Sequence, residues 1–326
     1  YCRLRRAPFM NRRKARWVVA LFAMTALISV GCCPWSQAKS RCSIDKYIPV
    51  VNRLLEVCGL PEAENVEDLI ESSSAWVLTP EERFSGELVS ICQVKDEHAF
   101  YNDLSLLHMT QAVPSYSATY DCAVVFGGPL PALRQRLDFL VREWQRGVRF
   151  KKIVFLCGER GRYQSIEEQE HFFDSRYNPF PTEENWESGN RVTPSSEEEI
   201  AKFVWMQMLL PRAWRDSTSG VRVTFLLAKP EENRVVANRK DTLLLFRSYQ
   251  EAFPGRVLFV SSQPFIGLDA CRVGQFFKGE SYDLAGPGFA QGVLKYHWAP
   301  RICLHTLAEW LKETNGCLNI SEGCFG

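Results

Sequence analysis

The 326-residue sequence is short of the parts from which common catalytic centres are built. It has five histidines, and none forms an HExxH pattern. It holds no GxGxxG, no Walker A loop and no GxSxG nucleophile elbow. These absences remove the zincin, dinucleotide-fingerprint, P-loop and α/β-hydrolase readings. Twelve cysteines are present, yet none forms a CxxC pair and no Cys/His set has zinc spacing, so no metal site is expected. Also missing is an apolar run of the roughly 18–20 residues that span a bilayer comfortably.

What stands in its place is an export pattern. Met10 is followed by Arg12, Arg13, Lys14 and Arg16, then by the apolar stretch Trp17 to Val30, then by Gly31, Cys32 and Cys33. A basic segment, a short apolar segment and a small residue at the junction are the three parts of a secretory signal. Residues 1–9 precede the first Met and are set aside as an upstream extension. Gly31-Cys32 points to lipoprotein processing, with acylation at Cys32. A cleaved signal and an uncleaved anchor are the alternatives. Either tether places the domain on the periplasmic side of a cell envelope.

The basic residues are unevenly spread. The formal charge is +1, but residues 1–31 hold Arg3, Arg5, Arg6, Arg12, Arg13, Lys14 and Arg16 and no acid. The remainder is therefore acidic, at about −6. A mildly acidic domain lacks the electrostatic footprint for nucleic acid. Export makes disulfides permissible. Cys42, Cys58 and Cys92 are candidates to pair with one another, and Cys317 with Cys324. Cys122, Cys157, Cys271 and Cys303 sit inside apolar patterns and read as buried thiols.

Three regions follow: the extension and signal over 1–33, a tether and helical region over 34–115, and an α/β domain over 116–326. The tether is residues 34–43. IDKYIPVVNRLLEVCGL, VEDLIES and FYNDLSLLHMTQAV carry helical apolar spacing, and the first stops at Gly59 before Pro61. From Tyr120 short apolar runs alternate with helical patterns. TYDCAVVFGG, KKIVFLCGERG, VRVTFLLA, GRVLFVSSQP and SYDLAGPGF read as strands. LPALRQRLDFLVREWQRG, SSEEEIAKFVWMQMLLP, NRVVANRKDTLLLFRSYQEAF, LDACRVGQFF and RICLHTLAEWLKET read as helices. Residues 174–195 form a polar, Pro-rich insert. The alternation predicts a Rossmann-like, doubly wound, mainly parallel sheet with helices on both faces.

In such sheets ligands bind beyond the carboxyl ends of the strands. The candidates are Gly127 and Gly128, Gly158 through Arg160, Lys229 through Asn233, and Ser261 through Pro264. Glycine lets a ligand approach the backbone, and the next helix offers free N–H groups to an anion. His171 lies beside Glu167, Glu168 and Glu170. Metal binding or acid–base work is conceivable there, but a solvated helix face is the plainer reading. His305, in the last helix, reads as a packing or surface residue.

The order of pieces from about Tyr120 to Phe289 resembles the bacterial YdcF/SanA/ElyC family. Asp121 and VVFGG match its first strand. Arg134 and Arg136 stand where the family has an Arg-bearing helix. Cys157-Gly158-Glu159 replaces a Ser-Gly-Gly turn. Ser196, Glu197, Glu199 and Pro211 match its Ser-Glu-x-Glu helix, and Asn238 a later helix start. Lys229 stands near a family Glu, and Asp269 and Arg272 take the spacing of a His-x-x-Arg motif.

The resemblance implies a Rossmann-like fold and a role in envelope biogenesis. It implies a nucleotide-type ligand such as S-adenosylmethionine, though no cofactor is specified. Arg134, Arg136 and Arg272 would bind an anion with Asp121, Gly127, Gly128 and Asn238, and Glu197 or Glu199 would do any acid–base work. Two functions follow. One is a membrane-tethered protein binding an anionic small molecule, nucleotide-like or a lipid-linked phosphate. The other is a non-catalytic exported protein that keeps the fold, has lost the site and binds protein partners.

Overall fold

The computed structural model describes residues 44–314, apart from 80–81, 83–93, 164–165, 185, 187–191, 217–219, 233, 251–254 and 290–298. The signal, Cys32, the tether, Asn233, part of the insert, and Cys42, Cys92, Cys317 and Cys324 lie outside the described residues.

The centre is a parallel sheet. Its strands are β2 (Cys122–Phe126), β4 (Lys152–Gly158), β5 (Arg222–Ala228), β6 (Val257–Val260) and β7 (Tyr282–Ala285), in the order β5-β4-β2-β6-β7. Every neighbouring pair is parallel. A short parallel pair, β1 (Thr119–Tyr120) and β3 (Arg149–Phe150), precedes β2 and β4. The first long strand is central, the next two lie to one side and the last two to the other. This is the Rossmann-like, doubly wound arrangement.

Both faces of the sheet are covered, which explains why the strands are apolar throughout rather than alternating. In β2, Ala123 and Val125 join a core with Leu133 and Leu137 of α4 (Leu130–Gln145) and Ile200 and Val204 of α6 (Glu197–Gln207). Val124 and Phe126 face the other way. They pack with Leu243 and Phe246 of α8 (Arg239–Gln250) and Val273 of α9 (Ile266–Phe276). The period of two splits one apolar run between two cores.

Local chemistry sets the helix ends. The Ser196 hydroxyl accepts the Glu199 N–H at 3.2 Å to open α6. Gly147, at φ +108°, follows α4 in a conformation that suits glycine. Two helical expectations prove too long. The helix expected from Asn233 begins only at Arg239, because Asn238 and Asp241 cap it reciprocally. The helix expected over FYNDLSLLHMTQAV ends at Leu106. His108 turns to φ +55°, and Val113 then pairs antiparallel with Gly286. The insert is not wholly aperiodic: Ser175–Tyr177 forms a 3-10 turn and Thr182 pairs with Met208.

A third core joins the two ends of the described chain. Val51 and Leu54 of α1 (Ile48–Val57), Leu69 of α2 (Val66–Ser73), Trp76, and Phe100 of α3 (Glu97–Leu106) pack on Leu304, Leu307 and Leu311 of α10 (Ala299–Thr314). His305 is buried there, its Nδ1 accepting the Leu78 N–H at 3.1 Å. Cys58 is disulfide-bonded. Cys122, Cys157, Cys271 and Cys303 are free thiols. Among the described residues no helix is long and apolar enough to cross a membrane.

Candidate functional site

The strand order reverses between β2 and β6, so the ligand crevice of a doubly wound fold falls beyond the ends of these two strands. The loops there are Gly127 to Pro129, Glu159 to Tyr163, and Ser261 to Phe265. Each half of this edge is lined by side chains that bond to one another or to the backbone.

Over β2 and β4 lies a buried ion cluster. Arg160 follows β4, and its side chain is 4% exposed. It donates from Nη1 and Nη2 to the Glu167 carboxylate at 2.9 and 3.0 Å, and from Nε to Glu197. It also reaches the Gly128 carbonyl at 2.8 Å. Glu197, in the first turn of α6, accepts the Gly158 N–H at 3.0 Å. Glu167 accepts the Tyr163 N–H at 2.6 Å and the Leu130 N–H at 3.0 Å. Burial by itself would lower the Arg160 pKa; the facing carboxylates Glu197 and Glu167 outweigh it and leave the guanidinium raised.

Leu130 is the first residue of α4, and its N–H is one of the free donors that a helix head offers an anion. Here the anion is Glu167. Gly127 has no room for more: a Cβ there would lie 1.8 Å from Glu197 Oε1 and 3.0 Å from the Cys157 Cα.

Over β2 and β6 the central group is Arg136. It is buried, and it donates to the Phe126 carbonyl at 2.9 Å, to the Gly127 carbonyl, and to Ser262 Oγ at 3.2 and 3.0 Å. Burial pushes its pKa down to about 10, which leaves it charged at neutral pH. Arg239 lies over the Phe126 ring, 3.9 Å from its centroid, and pairs through Nε with Asp269 at 2.9 Å. Asp269 also accepts the Ser261 hydroxyl at 2.6 Å. The segment from His108 to Val113 straps this half. Gln263 Nε2 donates to the His108 and Gln111 carbonyls at 2.9 and 2.8 Å, and Gly286 exchanges hydrogen bonds with Val113.

The structure brings Gly127, Gly128, Arg136 and Glu197 together and disperses the other expected residues. Asp121 lies at the amino end of β2, bound by Lys151 Nζ at 2.7 Å and the Arg256 N–H at 3.0 Å. Arg134 ties α4 to Gln207 and to the His171, Phe172 and Tyr177 carbonyls. Arg272 pairs with Glu309 and Glu313 on α10. Asn238 caps α8. Glu199 accepts the Ser195 N–H and hydroxyl at 2.7 Å each, and these bonds hold its carboxyl below the usual range.

Arg160, Glu167, Ser262, Arg239 and Asp269 complete the constellation. Arg160 and Ser262 stand among the residues that follow strands. Glu167 reads in sequence as part of a solvated acidic face, but it is 1% exposed while Glu168 and Glu170 are on the surface. His171 Nδ1 accepts the Glu168 N–H at 3.2 Å, a helix-capping contact. Among the described residues no cluster could hold a metal ion. A surface concavity of about 610 Å³ lies beside Glu168, Phe173 and Asp174, on the insert side and not at the switch point. Comparison with protein-family models, with curated proteins and with solved structures finds no match to this chain.

Proposed function

We propose that the chain is a non-catalytic interaction protein that keeps a Rossmann-like fold and fills the ligand position with its own side chains. One observation carries this reading: the Glu167 carboxylate, neutralised by Arg160, takes the N–H at the head of α4. Both Arg136 and Glu197 are engaged in internal bonds as well. The disulfide at Cys58 supports an exported, envelope-tethered setting, because such bonds persist in oxidising compartments. The resemblance to the YdcF/SanA/ElyC family supports the same setting.

A second reading keeps the anionic ligand. Its support is the pair of guanidinium groups, Arg136 and Arg239, that flank the switch point beside Ser262. A thermal-shift series separates the two. The chain would be tested against S-adenosylmethionine, nucleotides and isoprenoid phosphates. No ligand is expected to raise the midpoint by more than about 1 °C. A rise of several degrees that Arg239→Ala abolishes would replace the first reading with the second.

A further inference from the structure

The two edges of the sheet are finished differently. At β7 the strand is short, and the residue after it, Gly286, is paired antiparallel with Val113. At β5 the edge is longer, and no described residue pairs with its outer side. All of Val223 to Leu227 are half-buried, whereas β4 and β6 are buried throughout.

The register shows which groups lie on that side. The Arg222 N–H donates to the Lys151 carbonyl at 3.2 Å, and the Ala228 carbonyl accepts the Glu159 N–H at 2.8 Å. Residues 222, 224, 226 and 228 therefore turn their backbone groups toward β4. Val223, Phe225 and Leu227 turn theirs outward. Natural edge strands are guarded by proline, inward charge, a bulge or a covering segment. RVTFLLA has none of these inside the strand; its one charge, Arg222, is at the first position.

We infer that β5 is the seam of a symmetric dimer, pairing antiparallel with β5 of a second copy. The strand is complementary to itself about Phe225. Phe225 meets Phe225, Val223 meets Leu227, and Thr224 meets Leu226. The three outward residues of each copy then fall in hydrogen-bonded positions, giving about six inter-strand bonds across the two-fold axis. On the α4/α6 face, Val223, Phe225 and Leu227 of the two copies form one continuous apolar row. Beside it stand Lys202, whose Nζ lies 5.8 Å from the Phe225 ring centroid, and the exposed Met206. The residues of this seam are not those of the crevice, so the inference holds whether or not an anion binds there.

The test is sedimentation equilibrium of the full chain from about 1 to 100 µM, a range suited to a small β-seam. The expected result is a mass rising toward twice the monomer value. Two variants target the seam: Leu227→Pro removes an outward N–H, and Val223→Lys adds an edge charge. Each should weaken association at least tenfold with circular dichroism retained. Amide exchange at Val223, Phe225 and Leu227 in the wild type should slow as concentration rises, which needs no variant to fold. Monomer mass at the highest concentration would overturn the inference. So would dimerisation that leaves those three amides unprotected, or that both folded variants leave intact.

Discussion

Glu167 and Asp121 both make ion pairs, and their surroundings separate them. Glu167 is buried against Arg160, whereas the Lys151 and Asp121 side chains are 77% and 44% exposed. Removing one charge from a buried pair leaves the other uncompensated. Glu167→Gln should lower the unfolding free energy in urea by about 3 kcal/mol. Asp121→Asn should cost under about 1 kcal/mol, because solvent screens the pair. Lys151 and the Arg256 N–H hold the Asp121 carboxyl low, so its small contribution is present above the ordinary carboxylate pKa and disappears as pH falls through the depressed one. Asp121→Asn should therefore converge toward wild type as an acid titration passes through that range.

The free thiols give the opposite sign at alkaline pH. Burial raises Cys157 and Cys303, which are completely inaccessible. The unfolded chain loses these protons near pH 8.5, while the folded chain keeps them. Stability is therefore present below that pH and falls above it, by about 1.4 kcal/mol per thiol for each further pH unit. Urea midpoints at pH 7.5 and 9.5 should show the drop, and Cys303→Ala should reduce the slope.

At the scale of single elements, the ends of α6 and α8 depend on side chains that accept backbone N–H groups. Ser196→Ala frees the Glu199 N–H and should destabilise by about 1 kcal/mol in thermal or urea unfolding. The start of α6 was legible, because Ser followed by early Glu residues is a helix-opening pattern. The start of α8 was not. Val235 and Val236 continue an apolar-looking stretch, but Val235 is 92% exposed in a loop and the cap at Asn238 begins the helix. Periodicity cannot rank two possible starts when tertiary burial decides between them.

At the largest scale, the two ends of the described chain are joined by the core that α10 shares with α1, α2 and α3. Their sequences suggest a helical region followed by an α/β domain, yet Leu307 sits among Leu54, Trp76 and Phe100. Leu307→Ala should cost about 2–5 kcal/mol. It should shift one cooperative transition, read alike by far-ultraviolet and near-ultraviolet circular dichroism. Separate transitions would show that the regions unfold independently. Reduction of the Cys58 disulfide should lower the same midpoint.

The sequence alone determined the fold class and the places where its loops converge. Apolar runs of strand length alternating with helical periodicity have few solutions, and a buried parallel sheet is the usual one. It also located Gly127, which follows a strand, and Glu197, which opens a helix; Arg136, inside α4, was singled out only by the family resemblance. Only the tertiary structure decided what these residues face. A charged residue has the same letter whether it lies in water or against a guanidinium, and burial is a property of distant segments meeting. Glu167 looked like surface until Arg160 and the head of α4 closed around it. Arg272 looked like part of an anion site until α10 supplied Glu309 and Glu313.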